Sequence, residues 1–425
     1  MKLLICAVAA ALSFAPAMAA PATPLPLAAA PAQGMAAARL ERLDGFLRAR
    51  IDRGDYLGAV ALVARDGKIV HWQAYGQRDL ARTQPLARDA IFRIYSMSKT
   101  VTTVAVLALM EEGKLSLEDP VGKYLPAFGA LRVFTGGSAD APATRAAARP
   151  VTIRQLLTHT SGFAVDGKDG DPARALLERA RLAESPDLAD YAARLARLPL
   201  AHEPGTEFHY DGVQIVLLSR LVEVVAGMPF AQFLQQRIFD PLRMVDTGFT
   251  VAPAQRARIA AMTTTGADGK LAAPAAGTLA APGLQLNPYT SGAGGLYSTA
   301  GDYARFAQML LNGGALDGAD ILGPKTVELM MQNHLSQLTP PVTEFSAAEG
   351  FGLGGSVLLD VARRGRPGSV GQFGWSGAAS TYFTIDRRER LVAILLLQHL
   401  PQGLPTDPPT LSVPFYNLVY QAIAK

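Results

Sequence analysis

Apolar residues along this chain form short strand-type runs near both ends and recur at helical spacing in between. Gly58 to Ala64 and Lys68 to Ala74 flank Arg65-Asp66-Gly67, and an Asp-Gly pair between apolar runs predicts a tight β-hairpin. Leu40 to Arg53, just before it, has helical spacing. Thr100 to Glu112 reads as a helix closed by Gly113, a natural C-cap residue. Thr152 to Thr158, Leu176 to Arg197, Val213 to Ala226 and Phe230 to Phe239 then read as helices separated by Gly/Pro loops. Strand texture returns in Gly355 to Val361, Ser380 to Asp386 and Leu391 to Gln398, and Leu411 to Ala424 looks like a closing helix. The pattern predicts an α/β (α+β) fold whose sheet is built from both chain ends. Its sheet subdomain spans about 40–112 and 286–425, and the helical insertion about 113–285.

The N-terminus has a different texture. Lys2, the apolar stretch Leu3 to Phe14 and the small-x-small site Ala17-Met18-Ala19 read as a signal peptide over residues 1–19. An Ala/Pro-rich linker follows over 20–39. The expected location is therefore periplasmic or secreted, and no later run suggests a transmembrane anchor. The single cysteine, Cys6, falls inside the segment to be removed, so the mature chain needs a hydrophobic core rather than disulfides. With 425 residues, 49% hydrophobic and 18% charged, a large core is within reach. The formal charge is +4, yet no Lys/Arg block is interleaved with aromatics, which argues against a nucleic-acid partner. Arg363-Arg364 and Arg387-Arg388 read as solvated loop charges.

Ser96-Met97-Ser98-Lys99 opens the Thr100–Glu112 helix, so Ser96 and Lys99 share one helix face. A serine hydroxyl is a poor nucleophile until a neighbour takes its proton, and Lys99 stands where such a base belongs. The helix N-terminus adds backbone N–H groups for a developing oxyanion. This is the chemistry of an acyl-enzyme hydrolase.

Further motifs give the serine and lysine their context. Leu156-Leu157-Thr158-His159-Thr160-Ser161-Gly162, Pro204-Gly205-Thr206-Glu207-Phe208-His209-Tyr210, Gly294-Gly295-Leu296-Tyr297-Ser298-Thr299-Ala300-Gly301-Asp302 and Gly374-Trp375-Ser376-Gly377 follow in order. With them the chain, from about 40 to 420, resembles the serine β-lactamase and penicillin-binding-protein superfamily, in its class C-like branch with the family VIII carboxylesterases. The resemblance implies the β-lactamase/D,D-peptidase-like fold, an antiparallel sheet flanked by helices plus an all-helical subdomain, with the site in the cleft between them. It makes Ser96 the acylated serine, Lys99 the proton-accepting lysine and Tyr210 the tyrosine of a Tyr-x-Asn motif. Lys99 and Tyr210 form one coupled unit, and either can be the immediate base. The Ser96 and Ala378 N–H groups take the oxyanion-hole positions by the same analogy.

Two departures bear on the substrate. Gly212 stands where the lactamases have asparagine, so an amide that would bind the acyl-amide group is missing. Trp375-Ser376-Gly377 stands where they have Lys-Thr-Gly, and an indole replaces the cation that would bind a substrate carboxylate, a loss of about 1.5–3 kcal/mol for one such bond. A Trp-x-Gly motif resembles the esterase branch. Gly212, Trp375, Ser376 and Gly377 are thus candidate substrate contacts for a small-molecule ester, with a lactam or peptide as the alternative substrate.

Competing motifs are weaker. Gly374-Trp375-Ser376-Gly377-Ala378 approximates a nucleophile elbow followed by Asp386 and His399, but too little chain follows to complete such a fold. His202-Glu203 runs into Pro204 rather than an H-E-x-x-H pair, and no metal or cofactor is expected. Gly350-Phe351-Gly352-Leu353-Gly354 reads as a strand bend, and His159 and His209 as structural hydrogen-bonding residues. A catalytically silent binding protein on the same fold is the remaining alternative.

Overall fold

A computed structural model describes residues 24–163, 172–276, 281–338, 343 and 345–424. The predicted signal peptide over 1–19 lies outside the described residues.

The hairpin forms as its sequence dictates. β1 (Gly58–Arg65) and β2 (Lys68–Gly76) pair antiparallel, and Asp66 (φ 52°) and Gly67 (φ 76°) supply the left-handed pair that a two-residue turn requires. Late in the chain come β3 (Glu349–Phe351), β4 (Ser356–Leu358), β5 (Phe373–Gly377), β6 (Thr381–Asp386) and β7 (Leu391–Leu396). Among the described residues these make one seven-stranded sheet in the order β3-β4-β5-β6-β7-β1-β2, with every pair antiparallel. The N-terminal hairpin joins the C-terminal strands through β1 and β7, where Val60 faces Leu396 and Arg65 faces Leu391.

Both faces of the central strands are covered. β1 is buried at every position, with Val60, Leu62 and Ala64 facing one core and Ala59, Ala61 and Val63 the other. The outer core is closed by α1 (Ala37–Asp52) and, at the other end of the chain, α5 (Ser412–Tyr420). The inner core is closed by α2 (Ser98–Glu111) and α4 (Ala300–Leu311), with α3 (Val213–Ala226) of the insertion packed beyond. α2 is buried from Ser98 through Leu109, as befits a helix between a sheet and a second subdomain. At about 1.5–3 kcal/mol per fully buried aliphatic side chain, this helix is a firmly anchored place for a nucleophile.

The insertion differs from its prediction in two ways. The helix expected over Leu176–Arg197 is broken into Pro172–Arg179 and Leu188–Leu195. Ser185 precedes a proline and turns extended, and Asp187 then caps a new helix through its side chain on the Asp190 N–H. Besides helices, the insertion carries a hairpin of Arg132–Gly137 with Pro142–Ala146. The linker expected over 20–39 also gains structure. Leu25 is buried, the Ala28 N–H donates to the Ile69 carbonyl, the Ile69 N–H donates to the Pro26 carbonyl, and Ala37 to Arg39 already belong to the start of α1. Proline keeps this segment extended, which is what an added edge strand on β2 needs. Among the described residues no single helix is long and apolar enough to cross a membrane.

Candidate active site

The nucleophile turn is held from both sides. Phe92–Arg93 pairs with Tyr297–Ser298, and the Ile94 N–H continues the ladder to the Leu296 carbonyl. Tyr95 then takes a left-handed conformation (φ 43°), costly for a residue with a side chain, and throws Ser96 into a 3-10 turn that runs straight into α2. Lys99, one turn on, is only 3% exposed. Its Nζ stands 2.9 Å from Ser96 Oγ and donates to the Ala293 carbonyl at 2.8 Å. That carbonyl is placed by a loop wedged between α2 and α3, where Gly292 donates to Ser219 Oγ at 3.1 Å and accepts from Thr102 Oγ1 at 2.9 Å. A Cβ at Gly292 would collide with both hydroxyls, so the glycine is what lets the loop reach the lysine.

Tyr210 arrives on the loop before α3, with its ring 4.9 Å from Lys99 Nζ. Its hydroxyl accepts a hydrogen bond from Trp375 Nε1 at 2.9 Å. His159, left-handed at φ 57°, lies behind it with ring centroids 4.7 Å apart. Nδ1 of His159 accepts from Gln214 Nε2 at 2.9 Å and from the Asp211 N–H at 3.3 Å. The ring proton therefore sits on Nε2. Complete burial, and secondarily the Lys99 charge, lower the pKa of His159 well below its ordinary value and keep it neutral. Gln214 in turn accepts from Ser161 Oγ and donates to the His209 carbonyl at 3.1 Å. The expected structural role of His159 has this geometry. The Gln214 link is invisible to motif reading, because only the fold brings Ser161 and α3 together.

β5 forms the third wall. Trp375 packs on Tyr210, Phe351 and Phe345, with ring centroids 5.0, 5.1 and 5.4 Å away. β4 reaches only Phe373 and Gly374, which leaves Trp375 to Gly377 as an open strand edge. Gly377 passes so close to the Ile94 carbonyl and Thr381 Oγ1 that no Cβ fits. Ser96, Tyr210, Trp375, Ser376, Gly377 and Ala378 line one cleft of about 390 Å³. Gly212 does not: it lines a separate cavity of about 550 Å³ with Tyr191, Tyr289 and Ala293.

The alternative nucleophile has no such support. Ser376 lies exposed within a strand rather than on a strand-to-helix turn. Asp386 accepts from Tyr420, and His399 contacts Thr263, so neither is free to serve it. His202, Glu207 and His209, which no sequence motif joined, converge with ligand-type atoms within 4.8 Å of one another. The two imidazoles are stacked at 4.3 Å, and Glu207 Oε2 lies 3.0 Å from His209 Nε2. Arg364 is a correction to its expected place among solvated loop charges: its side chain is only 6% exposed and lines the cleft.

A cleft serine backed by a buried lysine, an adjoining tyrosine and an open strand edge define a serine hydrolase of the penicillin-recognising type. The chain belongs to the Beta-lactamase family, whose profile matches residues 43–410. It is 34% identical to Protein Rv1367c of Mycobacterium tuberculosis (strain ATCC 25618 / H37Rv) over 84% of this chain and 90% of that one. It is 30% identical to the lovastatin esterase of Penicillium rubens (strain ATCC 28089 / DSM 1075 / NRRL 1951 / Wisconsin 54-1255), over 86% and 94%. Among solved structures it is similar to EstCE1, a hydrolase with promiscuous acyltransferase activity, with a TM-score of 0.74 and 27% identity over 91% of this chain and 98% of that one.

Proposed function

We propose that this hydrolase is an exported carboxylesterase that cleaves small or medium acyl esters through a Ser96 acyl-enzyme. The observation that carries this reading is the indole of Trp375 in the cleft, donating to Tyr210 at the place where the resemblance expects a carboxylate-binding cation. Ser96 Oγ attacks the ester carbonyl while its proton passes to the Lys99–Tyr210 unit. The Ser96 and Ala378 N–H groups hold the oxyanion, and its collapse expels the alcohol, which takes that proton back. Water repeats the sequence on the acyl-enzyme and frees the acid. An ester needs little protonation of its leaving group, whereas an amide must receive a proton at nitrogen, so a site without a lactam anchor favours esters. Export rests on the sequence pattern of residues 1–19.

The test is a panel of p-nitrophenyl esters, a chromogenic cephalosporin and a D-Ala-D-Ala peptide. The expected result is a kcat/KM for short esters well above that for the cephalosporin. Efficient, carboxylate-dependent cephalosporin turnover overturns the reading.

A further inference from the structure

The cleft that holds Ser96 does not end at Trp375. It continues along β5 to Gln372, Ser412 and Tyr416 of α5, and two arginines, Arg364 and Arg366. These guanidiniums share a single carboxylate oxygen, Glu349 Oε1, at 3.5 and 3.6 Å. Both distances exceed the 2.7–2.9 Å range of a charge-assisted hydrogen bond. Arg364 is tied down by the Pro367 carbonyl at 2.9 Å and Gln372 Oε1 at 2.8 Å, and its buried Nε–H has no partner among the described residues. Arg366 lies 5.5 Å from the centre of the Tyr416 ring, and its buried Nη1 likewise has no acceptor among the described residues. Burial and the neighbouring Arg366 lower the Arg364 pKa, and Glu349 opposes them only in part.

Two positive charges facing one distant carboxylate at the end of a substrate cleft, with Arg366 still 19% exposed, form a site that a further anion can complete. We propose that Arg364 and Arg366 form a distal carboxylate-binding subsite, selecting esters that carry a carboxylate far from the scissile bond. Gln372, which Arg364 holds, and Gly377, beside the serine turn, are five residues apart on extended backbone, or about 16 Å at about 3.3 Å per residue. An extended chain advances about 1.2 Å per bond, which places the carboxylate roughly a dozen bonds from the carbonyl. The same cleft thus pairs an apolar wall at Trp375 with a cationic end. A distal carboxylate that passes the indole meets two arginines.

This inference rests on the esterase reading, and the experiment separates the two. Two series are compared with their neutral ω-carboxamide counterparts over chain lengths from four to sixteen atoms: mono-p-nitrophenyl esters of α,ω-dicarboxylic acids, and ω-carboxyalkyl acetates followed by proton release. The expected result is a carboxylate-to-carboxamide ratio of kcat/KM that rises to tenfold or more near a dozen bonds in one series and falls as salt is added. Arg366→Gln should bring that ratio close to one, and Arg366→Lys should recover part of it. A ratio near one at every length in both series, with the neutral esters still turned over, overturns the subsite and leaves the esterase reading standing. A ratio that Arg366→Gln leaves intact also overturns it. Failure to hydrolyse any ester overturns both.

Discussion

The Trp375 indole and the Tyr210 hydroxyl are joined by a 2.9 Å hydrogen bond in which the indole donates. The bond links β5 to the loop before α3, and so one subdomain to the other. It also directs one lone pair of the phenol oxygen toward the indole, stabilising any negative charge that oxygen acquires. Trp375→Phe keeps the aromatic packing and removes the donor. We expect kcat for a short p-nitrophenyl ester to fall about tenfold, or about 1.4 kcal/mol, with KM little changed. If Trp375 works through Tyr210, then Tyr210→Phe, and the Trp375→Phe/Tyr210→Phe pair, should be equally slow. Losses that multiply would show that the indole acts on substrate by another route.

Ser96 and Ser376 make a contrast that one substitution each resolves. Ser96 stands 2.9 Å from Lys99 Nζ, whereas Ser376 lies exposed on a strand and His399 contacts Thr263. Ser96→Ala should abolish turnover while leaving the unfolding transition in place, and Ser376→Ala should keep substantial activity. Mass spectrometry after fluorophosphonate labelling should place the adduct on Ser96. Lys99→Ala should lose several orders of magnitude in kcat and label slowly. An adduct on Ser376 would transfer the nucleophile to the elbow.

Much of this was legible in the chain because the information is local. The Asp66-Gly67 turn, the Ser96/Lys99 spacing and the α3 helix Val213–Ala226 depend on residues a few positions apart, and each lies where periodicity put it. What escaped the sequence depends on contacts between distant segments. The Leu176–Arg197 run has good helical spacing, but Pro186 and the Asp187 cap outweigh it. Arg364 looks like half of an ordinary basic pair until the loop folds back and Gln372 and the Pro367 carbonyl take its guanidinium inside. The sequence presents Trp375 only as an indole in place of a cation, because the partner of its N–H, Tyr210, comes from a distant loop.

Gly377 gives a test of how closely β5 must approach the serine turn. A Cβ at this position would overlap the Ile94 carbonyl, two residues before Ser96, and Thr381 Oγ1. The carbonyl is held backbone and cannot swing aside, so Gly377→Ala must push the strand edge away from the nucleophile. We expect a destabilisation of about 1–3 kcal/mol, as for an overpacked core position, together with a loss of activity larger than the loss of stability. Thermal unfolding and esterase kinetics on the same preparation measure both. An active, unshifted Gly377→Ala enzyme would mean that Ala378 does not supply an oxyanion donor from this strand.

Asp302 supplies a pH test away from the chemistry. It sits in the first turn of α4, almost wholly buried, and accepts from the Asp246 N–H at 2.8 Å and Thr247 Oγ1 at 2.9 Å. Those bonds favour the carboxylate, but burial outweighs them and raises its pKa from 3.8 to about 7. The sign follows from proton binding. Between about pH 4 and pH 7 the folded chain holds a proton that the unfolded chain has released, so stability falls as pH rises through this window. A rise of this size costs at most about 4 kcal/mol of stability, fully expressed above pH 7 and absent below the unfolded pKa. Asp302→Asn keeps an acceptor for the Asp246 N–H and cannot ionise. It should therefore be close to the parent in stability at pH 4, and more stable than the parent at pH 8. Denaturant unfolding of both proteins at the two pH values reads this directly, and an equal difference at both would show that the Asp302 carboxyl does not titrate between them.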